Sequence, residues 1–118
     1  MLVNGNKLSM TKGDSEFLTA YMTTAEGVVV ELVAGDTLYF TVKESPLDED
    51  FVFQKVITTF NVDGKAEIEI LPEDTEDIEL LTYYKTLYYD VQVNLVDGSV
   101  KTIIRPSSFI VTWGVTSD

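Results

Sequence analysis

The groups in this chain that can move protons or ligate metals are carboxylates. Twenty Asp and Glu stand against eight Lys and Arg, with no His and no Cys, giving a formal net charge of -12 over 118 residues. Without imidazole or thiol there is no Ser-His-Asp or Cys-His catalysis, no thiolate redox chemistry, and no zinc, haem or iron-sulfur site of the kinds built on those ligands. Oxygen ligation of calcium and paired acid-base work remain. The densest acids are Asp48-Glu49-Asp50 and the group Glu73, Asp74, Glu76, Asp77 and Glu79. Neither carries the spaced Asp/Asn pattern with central Gly and terminal Glu of an EF-hand loop. They read as a loop and the start of a helical turn, and no metal or cofactor is assigned. Asn61-Val62-Asp63-Gly64 has the composition of any tight turn. A glycosidase needs two carboxylates across a cleft, one with a raised pKa. No spacing singles out such a pair, so no catalytic residue is assigned and the chain reads as a non-enzyme.

Two other groups could work by contact. Tyr83, Tyr84 and Tyr88, with the single tryptophan Trp113, form a candidate aromatic surface that could stack on sugar rings. The competing reading is packing: a Tyr entering a long strand after a helical corner is a known device of immunoglobulin-like sandwiches, and alternation assigns Tyr89 to the core. The run Val28-Val29-Val30 is a candidate interaction edge for pairing with a partner strand. Its alternative is an ordinary strand buried in the fold.

The elements that must position these groups are strands. Period-two alternation places Leu18, Ala20 and Met22 on one face before a turn at Glu26-Gly27, and Leu38, Phe40 and Val42 on one face of Thr37–Lys43. A loop over Ser45–Asp50 precedes a strand over Phe51–Phe60. Ala66, Ile68 and Ile70 alternate with Glu67 and Glu69, and a strand from Thr86 to Leu95 turns Tyr89, Val91, Val93 and Leu95 inward. Asp97-Gly98 predicts a tight hairpin with positive φ at both positions. Ser99–Ile104 returns along the sheet, Arg105-Pro106-Ser107-Ser108 is expected to break the chain, and Phe109–Trp113 is the last strand, with a loose tail from Gly114. Proline followed by acids at Pro72–Ile78 predicts one short helical turn near residues 73-79.

About seven to nine short strands with turn signals every ten or so residues predict an all-β, antiparallel immunoglobulin-like β-sandwich in a single domain over residues 1–118. With 45% hydrophobic and 24% charged residues the chain can bury a core without disulfides. Its acidity argues against nucleic acid as a partner. No segment approaches the ~20 apolar residues of a membrane span, and Met1–Lys7 lacks the pattern of a signal peptide.

Five blocks taken in order carry a resemblance. They are Met10–Ser15, Ala34–Lys43, Leu71–Ile78, Tyr89–Val93 with Asp97-Gly98, and Pro106–Phe109. Together they resemble the N-terminal immunoglobulin-like domain of phage baseplate upper proteins and related small tail-associated proteins from phages and prophages of Gram-positive bacteria. Lys85-Thr86-Leu87 departs from the Gly-Thr-Tyr approach usual in those relatives, and the chain ends where baseplate proteins continue into further domains. The resemblance implies a non-enzymatic structural or adaptor component of a phage tail or baseplate, made in the host cytoplasm and located in the virion. Its partners would be other tail or baseplate proteins, or further copies of itself. The alternatives are a carbohydrate-binding or host-surface adhesion module and an acidic decoy or inhibitor. The resemblance supplies no catalytic residues.

Overall fold

Strands built on alternating apolar residues form almost all of the regular structure in the computed structural model, which describes residues 1–114. In chain order these are β1 (Leu2–Asn4), β2 (Lys7–Thr11), β3 (Glu16–Ala20), β4 (Met22–Thr23), β5 (Val29–Val30), β6 (Thr37–Lys43), β7 (Phe53–Ile57), β8 (Ala66–Ile70), helix α1 (Pro72–Thr75), β9 (Tyr84–Asn94) and β10 (Val100–Thr112). The fold is all-β and sandwich-like. A six-stranded sheet in the order β1-β2-β10-β9-β6-β7 faces a much smaller pair, β3-β8, and β4-β5 forms a separate two-stranded hairpin. Ten strands exceed the expected seven to nine because β1 and β2 precede the first strand read from the sequence, and β4 and β5 are two-residue pieces. Among the described residues no helix is long and apolar enough to cross a membrane.

Alternation fixes which side of each strand is dry. Leu38, Phe40 and Val42 of β6, Leu87, Tyr89, Val91 and Val93 of β9, and Phe109 and Val111 of β10 are buried against Ala66, Ile68 and Ile70 of β8. Phe40, Phe53, Tyr89 and Phe109 form an aromatic centre, with Phe40 and Tyr89 rings 5.3 Å apart and Phe53 edge-on to Phe109 at 6.0 Å. Tyr89 is thus a core residue. Its hydroxyl, which cannot go dry without a partner, donates to the Asn6 carbonyl in the β1-β2 turn. Burial also pushes the Tyr89 phenol above its ordinary pKa.

Two expectations are corrected. Arg105–Ser108 does not break the chain: β10 runs through it, absorbing the irregularity as register shifts between Thr102 and Ile104 and between Ile104 and Ser107 against β9. Pro106 is tolerated because β2 pairs with β10 only from Phe109 to Thr112, so no neighbour needs an N–H from Pro106 on that side. The β9-β10 hairpin is not a two-residue turn with both positions at positive φ. Leu95 N–H donates to the Ser99 carbonyl and Gly98 N–H to the Leu95 carbonyl, with φ +92° at Gly98 and, among the described residues, no positive φ at any non-glycine residue. Asp97 instead accepts from the Ser99 amide and hydroxyl, which holds its carboxyl below the ordinary value.

Polar side chains tie the loops down. Asp36 is buried and accepts from Val33 N–H at 2.9 Å and Val96 N–H at 2.8 Å, locking the β5-β6 connection to the β9-β10 hairpin. At the opposite connection, Asp74 accepts from Leu71 N–H at 2.7 Å and starts α1. The buried Thr75 hydroxyl accepts from Gly13 N–H at 2.9 Å, fastening the β2-β3 turn to the helix.

Candidate interaction surfaces

Val28, Val29 and Val30 lie in and beside the β4-β5 hairpin. Met22 pairs with Val30 and Thr23 with Val29, and the turn closes with Thr24 N–H on the Val28 carbonyl. The run is not buried in the sandwich: Val28 is 63% exposed and Val29 is exposed as well, between the exposed acids Glu26 and Glu31. Among the described residues β5 pairs with β4 alone. Leu32 N–H donates to the Gly64 carbonyl at 2.9 Å, which places the end of this segment beside the turn leading into β8. That approach is possible only without a side chain at position 64, because a Cβ there would lie 2.6 Å from Glu31 Cα.

Three of the four candidate aromatics converge. Tyr84 and Thr86 of β9 lie opposite Thr112 and Ile110 of β10 on the outer face of the six-stranded sheet. With Tyr83 and Trp113 they line a shallow hollow of about 640 Å³. Trp113 N–H donates to the Tyr83 carbonyl at 2.8 Å, and Lys12 Nζ lies 5.4 Å from the centre of the Trp113 ring. Tyr83 is 85% exposed. Tyr88 is on the same face but outside the hollow, half-buried between register partners Ser108 and Lys43. Further along this face, burial raises the Asp90 carboxyl above its ordinary pKa, and nearby Lys43 partly offsets the shift.

The two acidic clusters lie at one end of the molecule. Glu73, Asp74, Asp77 and Glu79 line a groove with Glu44, and the 48–50 acids line a second one that Glu44 also borders. Lys55 meets Asp74 at 2.6 Å and Lys85 meets Glu44 at 2.6 Å. Among the described residues no three acids gather in a way that could hold a metal ion.

Sequence reasoning missed a fourth feature, an apolar cleft of about 640 Å³ between β3 and the first half of β10. Its walls include Val3, Phe17, Tyr21, Ile103 and Ile104, its floor reaches Phe40 and Tyr89, and no charged residue lines it. Among the described residues β3 pairs with β8 only, so its second edge, toward the cleft, is unpaired. Phe17 is 68% exposed. The signal available in the sequence was Phe17 itself, a large aromatic out of phase with the inward Leu18 and Ala20. A smaller hollow lined by Tyr21, Met22 and Lys101 continues the cleft, and Lys65 Nζ sits 4.7 Å from the Tyr21 ring centre.

Compared with protein-family models, with curated proteins and with solved structures, the chain matches none.

Proposed function

We propose that this protein is a non-enzymatic structural or adaptor module, an immunoglobulin-like component of a phage or prophage tail or baseplate that acts by protein-protein contact. The observation that carries the contact mechanism is the cleft: its walls are mainly apolar, no charged residue lines it, and among the described residues the β3 edge that borders it is unpaired. Such a site suits capture of a polypeptide. The phage assignment rests on the five sequence blocks described above.

Mass spectrometry of particles purified from an induced lysogen of the source strain tests this reading. A fixed copy number per tail is the expected result. Recovery of the protein only from the soluble lysate would overturn the assignment to the virion.

The hollow lined by Tyr83, Tyr84 and Trp113 favours a second reading, in which the module binds carbohydrate at the host surface. Because Trp113 is the single tryptophan, a saccharide seated there changes the protein's indole fluorescence directly. A flat response across cell-wall saccharides removes this alternative.

A further inference from the structure

We propose that the hollow formed by Tyr83, Tyr84 and Trp113 receives Phe17 of a second copy of this chain, with Glu67 and Glu69 of that copy meeting Lys7 and Lys12. The inference deepens the adaptor reading by naming a partner and assigns the hollow to protein in place of sugar. It rests on that reading only in taking contact as the mode of action.

Charge in this chain is divided between the two sheets. The six strands of the large sheet hold six of the eight basic residues and one of the twenty acids, Asp90. The other acids among the described residues lie in the loops, in and after α1, and in β3-β8. Lys55 and Lys85 are taken up by Asp74 and Glu44. Lys7 lines the hollow and Lys12 lies against the Trp113 ring, and among the described residues neither is in an ion pair. No acid lines the hollow. Asp14 follows in the turn after Lys12, and Asp90 lies further along the sheet face under the influence of Lys43. Within a chain of net charge -12, the hollow is thus an aromatic site with two cations, and its fitting guest is an apolar group that carries acids.

The small sheet presents such a group. Ala66, Ile68 and Ile70 point into the core, so Glu67 and Glu69 of β8 point outward and are exposed. Register sets Phe17 opposite Glu69 and Thr19 opposite Glu67. Phe17 is therefore an exposed ring with one carboxylate directly across the ladder, about 5 Å away at Cβ, and a second on the diagonal. Two other charges are engaged elsewhere: Glu16 pairs with the Met1 amine, and Lys65 sets its amine over the Tyr21 ring.

Plug and hollow face opposite ways. The two sheets pack through their buried faces, so the outer face of β3-β8 and the outer face of the six-stranded sheet look away from each other. One copy cannot fill its own hollow with its own Phe17, and the same pair of surfaces on two copies meets head-to-tail. Repetition closes a ring or extends a filament. Like charge keeps two copies apart across most approaches, and this one brings acids to cations. One ring with two exposed carboxylates makes a contact of the weak, transient size class, so association requires high concentration.

Sedimentation of the full chain, from micromolar to about millimolar, should show a weight-average mass rising with concentration. Phe17→Lys blocks the plug by setting a cation against Lys7 and Lys12. Trp113→Glu blocks the hollow by setting an anion against Glu67 and Glu69, and leaves that variant without tryptophan. Both side chains are exposed, so each variant should keep the wild-type thermal midpoint while sedimenting as a monomer. Mixed one to one, the two should form a heterodimer and nothing larger, because one intact plug meets one intact hollow. All tryptophan emission then comes from the intact hollow of Phe17→Lys, and it should move to the blue on mixing. Tyr83→Glu, at an exposed position outside the strands, should block the hollow in the same way and guards against a folding defect in Trp113→Glu. A wild-type protein that stays monomeric throughout would overturn the proposal, as would a mixture that does not associate or a monomer whose Trp113 emission responds to a saccharide. None of these results bears on the copy number found in purified particles, so failure here is distinguishable from failure of the adaptor reading.

Discussion

The two long sides of the small β3-β8 sheet are finished in opposite ways. On one side the chain crosses between the sheets through α1, and that crossing closes the core: Ile78 is buried, Thr75 accepts from Gly13 N–H, and Asp74 both holds the Leu71 amide and pairs with Lys55. On the other side the tie is the ion pair of the Met1 amine with Glu16 at 2.9 Å, and among the described residues no strand pairs with β3 there. The residues before β3 form β1 and β2, which stay in the six-stranded sheet, so the edge of β3 and the inner side of β10 face each other across an apolar cleft. Closure therefore depends on where the chain crosses, not on how apolar the residues are. Ile78 lies on the crossing segment and is buried, whereas Phe17, out of phase with Leu18 and Ala20, is left at the open cleft.

This contrast predicts a ranked series of effects on stability. Ile78→Ala should be the most damaging, costing about 2–5 kcal/mol in denaturant unfolding, because it empties a packed site on the closed side. Thr75→Val keeps the shape but leaves a part-buried Gly13 N–H without an acceptor, and should cost about 1–3 kcal/mol by the same assay. Asp90→Asn should have a smaller effect of opposite sign. Because burial raises the folded-state pKa of Asp90, its contribution is favourable below the unfolded pKa and is lost as pH rises through the folded value. Thermal midpoints of the variant should therefore exceed wild type at neutral pH and converge with it in acid, and the reverse trend would contradict the assigned burial. On the open side, Phe17→Ser should change stability by no more than ~0.5 kcal/mol. A loss at Phe17 comparable to that at Thr75 would break the comparison by making the cleft part of the core.

Legibility in the sequence followed the range of the interactions. β6 was readable to the residue and β8 to within one, because their alternation is strict and their turns carry glycine. The helical turn was readable because Pro72 and the acids behind it are local signals. Pairings between distant segments left no local mark. The parallel ladder between β2 and β10 joins Leu8 to Phe109, and it determines both that Arg105–Ser108 can remain strand and that β1-β2 belongs to the six-stranded sheet. For the surfaces, the tyrosines and Trp113 could be named, but their convergence comes from pairing of Tyr84 with Thr112. Whether Val28–Val30 lay inside or outside depended on its partner strand, a two-residue β4 that no pattern distinguishes from the end of β3.

The same parallel ladder governs how the protein would respond to load. β2 and β10 run side by side in one direction over Leu8–Thr11 and Phe109–Thr112. A pull applied ahead of β2 and behind β10 slides the two strands past each other in shear, so their hydrogen bonds carry the tension together and must fail nearly at once. The antiparallel β1-β2 turn, loaded from the same end, peels open one bond at a time and gives way first. Under tension this module would thus yield a few residues of slack and then resist, with the release rate set by the unfolding barrier and not by equilibrium stability.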